Sequence, residues 1–163
     1  MSASPKPTGV VRVLDEDPDL GGALDRDAFS VARSTAVAPL VELRAGKWPL
    51  LRPAGEAVFG FLVLAGVIGR RIVIPERAHL ELLAPGDVIR PWVGLGPDAS
   101  VPVRIDWEVL EYARLAILER RFSYAVRDYP EVYEALAERL VLRSRRLNFL
   151  LAVNSVIGIE ERI

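Results

Sequence analysis

The sequence has no cysteine. Disulfides, thiolate nucleophiles, iron–sulfur clusters and most structural zinc sites are therefore excluded. Histidine is almost as scarce, with only His79. It alternates with Leu80 and Leu82, which predicts a solvent-facing ring, and one imidazole does not build a haem or metal site. No metal and no cofactor is expected. A basic excess is missing too: 21 Lys and Arg stand against 22 Asp and Glu, giving a net charge of −1. The chain as a whole lacks the electrostatic signature of a nucleic-acid binder. The longest apolar run, Ala57 to Gly69, is too short to span a bilayer and ends in Arg70-Arg71, so a buried strand pair is expected and no membrane partner. No charged-then-apolar signal opens the chain, and a cytoplasmic location is the expectation. Gly94-Leu95-Gly96 lacks the strand–turn–helix setting of a dinucleotide site, and Ser34, Ser100, Ser123, Ser144 and Ser155 sit in no nucleophile elbow. None of these residues predicts an enzyme.

What is present is apolar and periodic. Apolar residues make up 51% of the 163, enough for one domain with an appendage. Residues 1–18 hold Pro5, Pro7, Gly9 and the acidic patch Asp15-Glu16-Asp17, and read as a loose arm anchored only by Val10, Val11, Val13 and Leu14. Leu20 to Ala38 carries Leu24, Ala28, Ala32 and Ala36 at helical spacing and stops at Pro39. From Leu40 the period becomes two. Strands are predicted at Leu40–Arg44, Val58–Ala65, Ile68–Ile74, around Leu80 and Leu82, at Val88-Ile89, Val101–Val109 and Ala113–Leu118. Phe59, Phe61 and Val63 are expected on one face of their strand, Leu62 and Leu64 on the other. Turns fall at Ala45-Gly46-Lys47, Gly66, Pro75-Glu76-Arg77 and Pro85-Gly86-Asp87, and Arg90 to Ser100 is irregular. Such spacing predicts a β-sandwich, jelly roll or closed roll.

A short helix over Arg121–Arg127 then leads into a long one from Pro130 to Ile163, capped by Asp128 and roughly 50 Å long at about 1.5 Å per residue. Its heptad sets Tyr133, Leu140, Leu147 and Asn154 at one position, and Leu136, Arg143, Leu150 and Ile157 at the other. That is a coiled-coil seam with polar interruptions, and Asn154 is a device for fixing register. The expected dimerisation residues are Leu136, Leu140, Leu147, Leu150, Asn154 and Ile157. Val132, Leu142, Phe149, Val153 and Val156 form a second apolar set, and Arg143, Arg145 and Arg146 read as a solvated face.

The order of Gly46 before Trp48, Gly66, Pro85-Gly86-Asp87, Trp107 to Glu111, Leu115 to Phe122, Tyr129-Pro130-Glu131, Leu151-Ala152-Val153 and Glu160 to Ile163 resembles the Crp/Fnr family of bacterial transcription regulators. The resemblance covers nearly the whole chain. It implies a mostly β fold with flanking helices: a cyclic-nucleotide-binding-like β-roll (a double-stranded jelly roll), then a long dimerisation helix. The divisions implied are the arm at 1–18, the roll with short helices at 19–127 and the dimer helix at 128–163. In members that bind cyclic AMP, a Gly-Glu pair and then an Arg with Ser or Thr hold the ribose and phosphate. Here Arg90-Pro91 stands in place of Gly-Glu, and Gly96-Pro97-Asp98-Ala99-Ser100 has an acid where the anion-binding Arg belongs. Pro91 and Pro97 also remove N–H donors. A degenerate nucleotide site is expected, with Arg90, Trp92, Ser100 and Arg104 as the remaining ligand-binding candidates and an unknown small-molecule effector. Trp92 and Trp107 read equally as core. The family's helix-turn-helix domain follows the dimer helix, but this chain stops at Ile163 inside the helical pattern, so DNA contact is expected only through a domain missing here. The alternatives are a stand-alone dimerising interaction protein and, third, a cupin-like β-barrel enzyme.

Overall fold

The computed structural model describes residues 6–48, 59–74, 77–90 and 104–160, with side chains as far as Phe149 apart from those of Ile74 and Arg77. Strand β1 (Gly9–Arg12) lies antiparallel to β2 (Val37–Leu43), with Val11 opposite Ala38. Between them, α1 (Val13–Glu16) buries Val13 and Leu14, and a 3₁₀ turn at Pro18–Gly21 buries Leu20. The expectation of a loose arm is therefore corrected from Gly9 onward. The acidic patch that argued for looseness is neutralised by distant arginines: Asp15 meets Arg33, Glu16 takes a two-bond fork from Arg114 at 2.9 Å, and Asp17 meets Arg139.

Helix α2 (Arg26–Thr35) starts later than the periodicity predicts. Asp25 caps it, its carboxylate accepting from the backbone N–H of Asp27 at 3.0 Å and of Ala28 at 2.8 Å, so the chain before it is free to turn. Pro39 is not the expected stop, since the helix ends at Thr35 and β2 begins at Val37. It lies within β2 opposite Val10, outside the part of β2 that pairs with β9 (Ala113–Leu118).

The remaining strands are β3 (Gly46–Lys47), β4 (Gly60–Ala65), β5 (Ile68–Ile74), β6 (Arg77–Leu83), β7 (Val88–Ile89) and β8 (Arg104–Val109). They form two antiparallel sheets, β1-β2-β9-β4-β7 and β3-β8-β5-β6. One core lies between the sheets and includes Val41, Phe61, Val63, Ile68, Leu83 and Leu115. The other face of the five-stranded sheet, with Val11, Ala38, Leu62, Ala116 and Leu118, is covered by helices. From α3 (Arg120–Ala125) comes Phe122; from α4 (Pro130–Glu160) come Val132 and Leu136, all with no exposed surface. The long helix thus begins at Pro130 as expected.

Two face assignments are corrected. Phe59 does not share a face with Phe61 and Val63 but joins the helix-covered core, its ring 5.3 Å from that of Tyr133. The strand alternation breaks at Gly60, whose φ is +115° and where a Cβ would lie 2.3 Å from the Ile89 carbonyl oxygen. On β6 the hydrophobic pattern is inverted. Leu80 and Leu82 are each 54% exposed, while Glu81 is 4% exposed and His79 is half-buried on the inner side rather than facing solvent. β6 is the edge of its sheet, and its outer face is covered by no described element. No helix among the described residues is long and apolar enough to cross a membrane.

Candidate functional site

The inversion on β6 carries the chemistry. Arg70 on β5 stands opposite Glu81 on β6 and Trp107 on β8, so the period-two alternation directs all three to the inner face. The Arg70 guanidinium lies over the Trp107 ring, 5.7 Å from its centroid. From outside the sheet, α4 brings Arg143. Its Nε donates to Glu81 Oε1 at 2.7 Å and Nη2 to Oε2 at 3.0 Å, while Nη1 donates to the Val88 carbonyl at 3.0 Å. Arg70 Nη1 adds a bond to Oε2 at 3.2 Å. Arg143 retains 13% exposure, so this is a buried fork, not a solvated face. Burial alone pushes the Glu81 carboxyl up, but hydrogen bonds and charge from Arg143 and Arg70 together outweigh it and hold the group below its ordinary value. Glu81 is an anion at neutral pH.

Satisfaction is incomplete. Among the described residues, Arg70 Nε and Trp107 Nε1 are buried donors with no acceptor, and so is Nε1 of Trp48, whose ring lies 5.8 Å from that of Trp107. An orphaned buried donor costs about 1–3 kcal/mol. Trp48 lines a separate cavity, while one of about 310 Å³ is bordered by Arg70, Arg90, Trp107, Leu140, Arg143 and Ser144. That volume is in the lower range of ligand pockets. Its wall carries three arginines together with Leu140 and Leu147 of α4, and Glu81, which pairs with two of those arginines, does not itself border it. The arrangement suits a small ligand bearing acceptor oxygens.

Two further contacts fasten α4 on either side of Arg143. Arg139 donates to Asp17, at 2.7 Å to Oδ1, and to the Gly86 carbonyl at 3.3 Å. Arg146 donates to Asp87 Oδ1 at 2.7 Å. The turn supplying these acceptors is itself fixed: Gly86 has φ +93°, and Asp87 Oδ2 accepts from the Ala84 N–H at 2.9 Å.

Of the ligand candidates read from the sequence, Arg90 borders the cavity, its Nε donating to the Phe59 carbonyl at 3.0 Å. Arg104 is not brought to it. It is 72% exposed on β8, pairs with Asp106 at 3.0 Å, and lines a separate cavity with Lys47 and Arg71. Trp92 and Ser100 lie outside the described residues. Among the seam residues, Leu136 is a correction: with no exposed surface it belongs to the protein's own core and offers nothing to a partner. Leu140 packs half-buried against that core, and Leu147 is half-buried at the cavity rim. Leu150, Asn154 and Ile157 lie on helical backbone, their side chains outside the described set. The reading of Arg143 as solvated is corrected by its buried pairing with Glu81, whereas Arg146, paired with Asp87, stays 51% exposed as that reading expects. Sequence reasoning did not single out Arg70, Glu81 or Ser144 as residues of a binding site. The available signal was charge inside apolar runs: Arg70 after Val67-Ile68-Gly69, and Glu81 between two leucines.

No protein-family profile and no curated sequence matches the chain. Solved structures do. The chain is similar to a double mutant of CooA from Carboxydothermus hydrogenoformans, at 17% identity and a TM-score of 0.53, over 90% of this chain and 89% of that one. The heme domain of the same CooA gives 17% identity and a TM-score of 0.52, over 90% and 99%. A cyclic nucleotide-binding domain containing protein from Listeria monocytogenes gives 16% identity and a TM-score of 0.52, over 83% of this chain and 61% of that one. The fold is the cyclic-nucleotide-binding β-roll with flanking helices and a long C-terminal helix.

Proposed function

We propose that this chain is the sensor and dimerisation part of a Crp/Fnr-like transcription regulator, with a degenerate cyclic-nucleotide site, acting on DNA when joined to a helix-turn-helix domain. The observation that carries this reading is Arg143. A residue of the long helix reaches the inner face of the roll, so the content of the cavity bears directly on the element expected to hold the dimer. The fold shared with CooA and with the Listeria protein supports the same assignment. The effector is a small molecule other than cyclic AMP, the second copy pairs through the part of α4 beyond Leu140, and the protein works as a non-enzymatic cytoplasmic regulator.

The direct test has two arms on the ligand and one on the assembly. Mass spectrometry of the native protein is expected to find a co-purified small molecule. Calorimetric titration with cyclic AMP is expected to give a dissociation constant above about 10 μM, near −7 kcal/mol. Tighter binding overturns the degenerate site. Light scattering is expected to give a dimer at tens of micromolar, roughly the range of weak association, and a monomer there overturns the dimerisation role.

A further inference from the structure

Glu81 is an expensive residue to keep. Taking a carboxylate out of water to 4% exposure is unfavourable, and an apolar replacement of the whole ion-pair cluster is often neutral or stabilising. What the cluster does provide is a constraint on charge. Both oxygens of Glu81 are engaged, and they hold two of the three guanidiniums that border the cavity. Yet one carboxylate cannot complete them, since Arg70 Nε remains without an acceptor beside the orphaned Trp107 Nε1. An acidic group entering the cavity would meet the Arg70, Arg90 and Arg143 side chains that border it and would at the same time repel Glu81.

We infer that Glu81 is a resident anion that occupies Arg70 and Arg143 until the acidic group of an effector displaces it, making the pocket selective for anions and transmitting its filling to α4 through Arg143. This rests on the reading of the cavity as the effector site. The consequence is competitive. Glu81 lowers the affinity of the pocket for every anion, so only a ligand that also uses Trp107 and the apolar wall at Leu140 displaces it. Transmission needs no long path, because the displaced fork is itself one of the attachments of the helix.

Inorganic phosphate is a suitable probe, since it has acceptor oxygens and no apolar body. Glu81→Gln keeps the shape and removes the charge. Calorimetric titration at constant ionic strength, held with potassium chloride, is expected to show phosphate binding to Glu81→Gln at least about tenfold tighter than to the unmodified protein. Adding Arg143→Gln is expected to cancel the gain. Equal affinity in the unmodified and Glu81→Gln proteins, or a gain that survives the double change, overturns the inference. Should Glu81→Gln fail to fold alone, phosphate is expected to restore cooperative melting to it and not to the double variant; absence of rescue counts against the idea equally. A neutral co-purified molecule would overturn this inference while leaving the sensor reading intact. A monomeric mass without phosphate would do the reverse.

Discussion

The two halves of α4 form one continuous helix in two environments. In the first, Val132 and Leu136 have no exposed surface, and Arg139 and Arg143 are tied to Asp17 and Glu81. Leu142, on another side of the helix, is already 53% exposed, and further on Phe149 is 67% exposed. A heptad count treats the seam as a single surface, but the helix serves two. Its first turns are part of the roll's own core, held there by burial and by paired charge. Its later turns offer apolar area that the roll does not use, and this is the part assigned to a second copy. A long helix can therefore sense and assemble at once, provided each task keeps to its own stretch.

The largest expected effect comes from unpairing the junction. Arg143→Ala leaves Glu81 buried with only Arg70, and removal of one partner of a buried pair typically costs about 3–5 kcal/mol. Urea denaturation should show this loss, and a cost near zero would mean that water reaches Glu81 freely. Next is Leu136→Ala, expected to cost about 3 kcal/mol as a core truncation, with the mass in solution unchanged. A change of mass without a fall in stability would return Leu136 to the seam.

A smaller effect follows from acid. The Glu81 carboxyl is lowered by its arginines, so its contribution is complete above the unfolded value near 4.5 and is lost as pH falls through the lower folded value. The urea midpoint should therefore drop below pH 4.5 more steeply in the unmodified protein than in Glu81→Gln. Parallel curves would remove Glu81 from the account. The smallest effect on folding belongs to the second half. Leu147→Glu is expected to change monomer stability by under about 1 kcal/mol, while halving the mass measured by light scattering. Halving together with unfolding would show that the two halves are not separable.

Much of the fold was legible because it rests on backbone punctuation. Gly66, with φ +85° and the Tyr112 carbonyl oxygen 2.2 Å from where a Cβ would lie, and Pro85-Gly86-Asp87 mark turns that tolerate few other residues. Pro130 opens α4 for the same reason. The site was much less legible. Pattern reading assumes that leucine faces inward, and on β6 the leucines face outward because two arginines from other elements offset the burial of Glu81. Those partners come from β5 and from a helix far along the chain, a pairing no local window contains. The same applies to Asp15, Glu16 and Asp17, whose cations lie on α2, β9 and α4.

The spacing of Arg139, Arg143 and Arg146 has a mechanical consequence. At 3.6 residues per turn they fall within an arc of about 60° on one side of α4. Turning the helix on its axis by one residue position, about 100°, withdraws all three from their acceptors together. Sliding it by one turn, about 5.4 Å, brings Arg143 toward Asp17 and the Gly86 carbonyl in place of Arg139, and Arg146 toward Glu81. The three ties together resist twist, and a slide along the axis is opposed as well, because it would move Val132 and Leu136 out of the core in which they have no exposed surface.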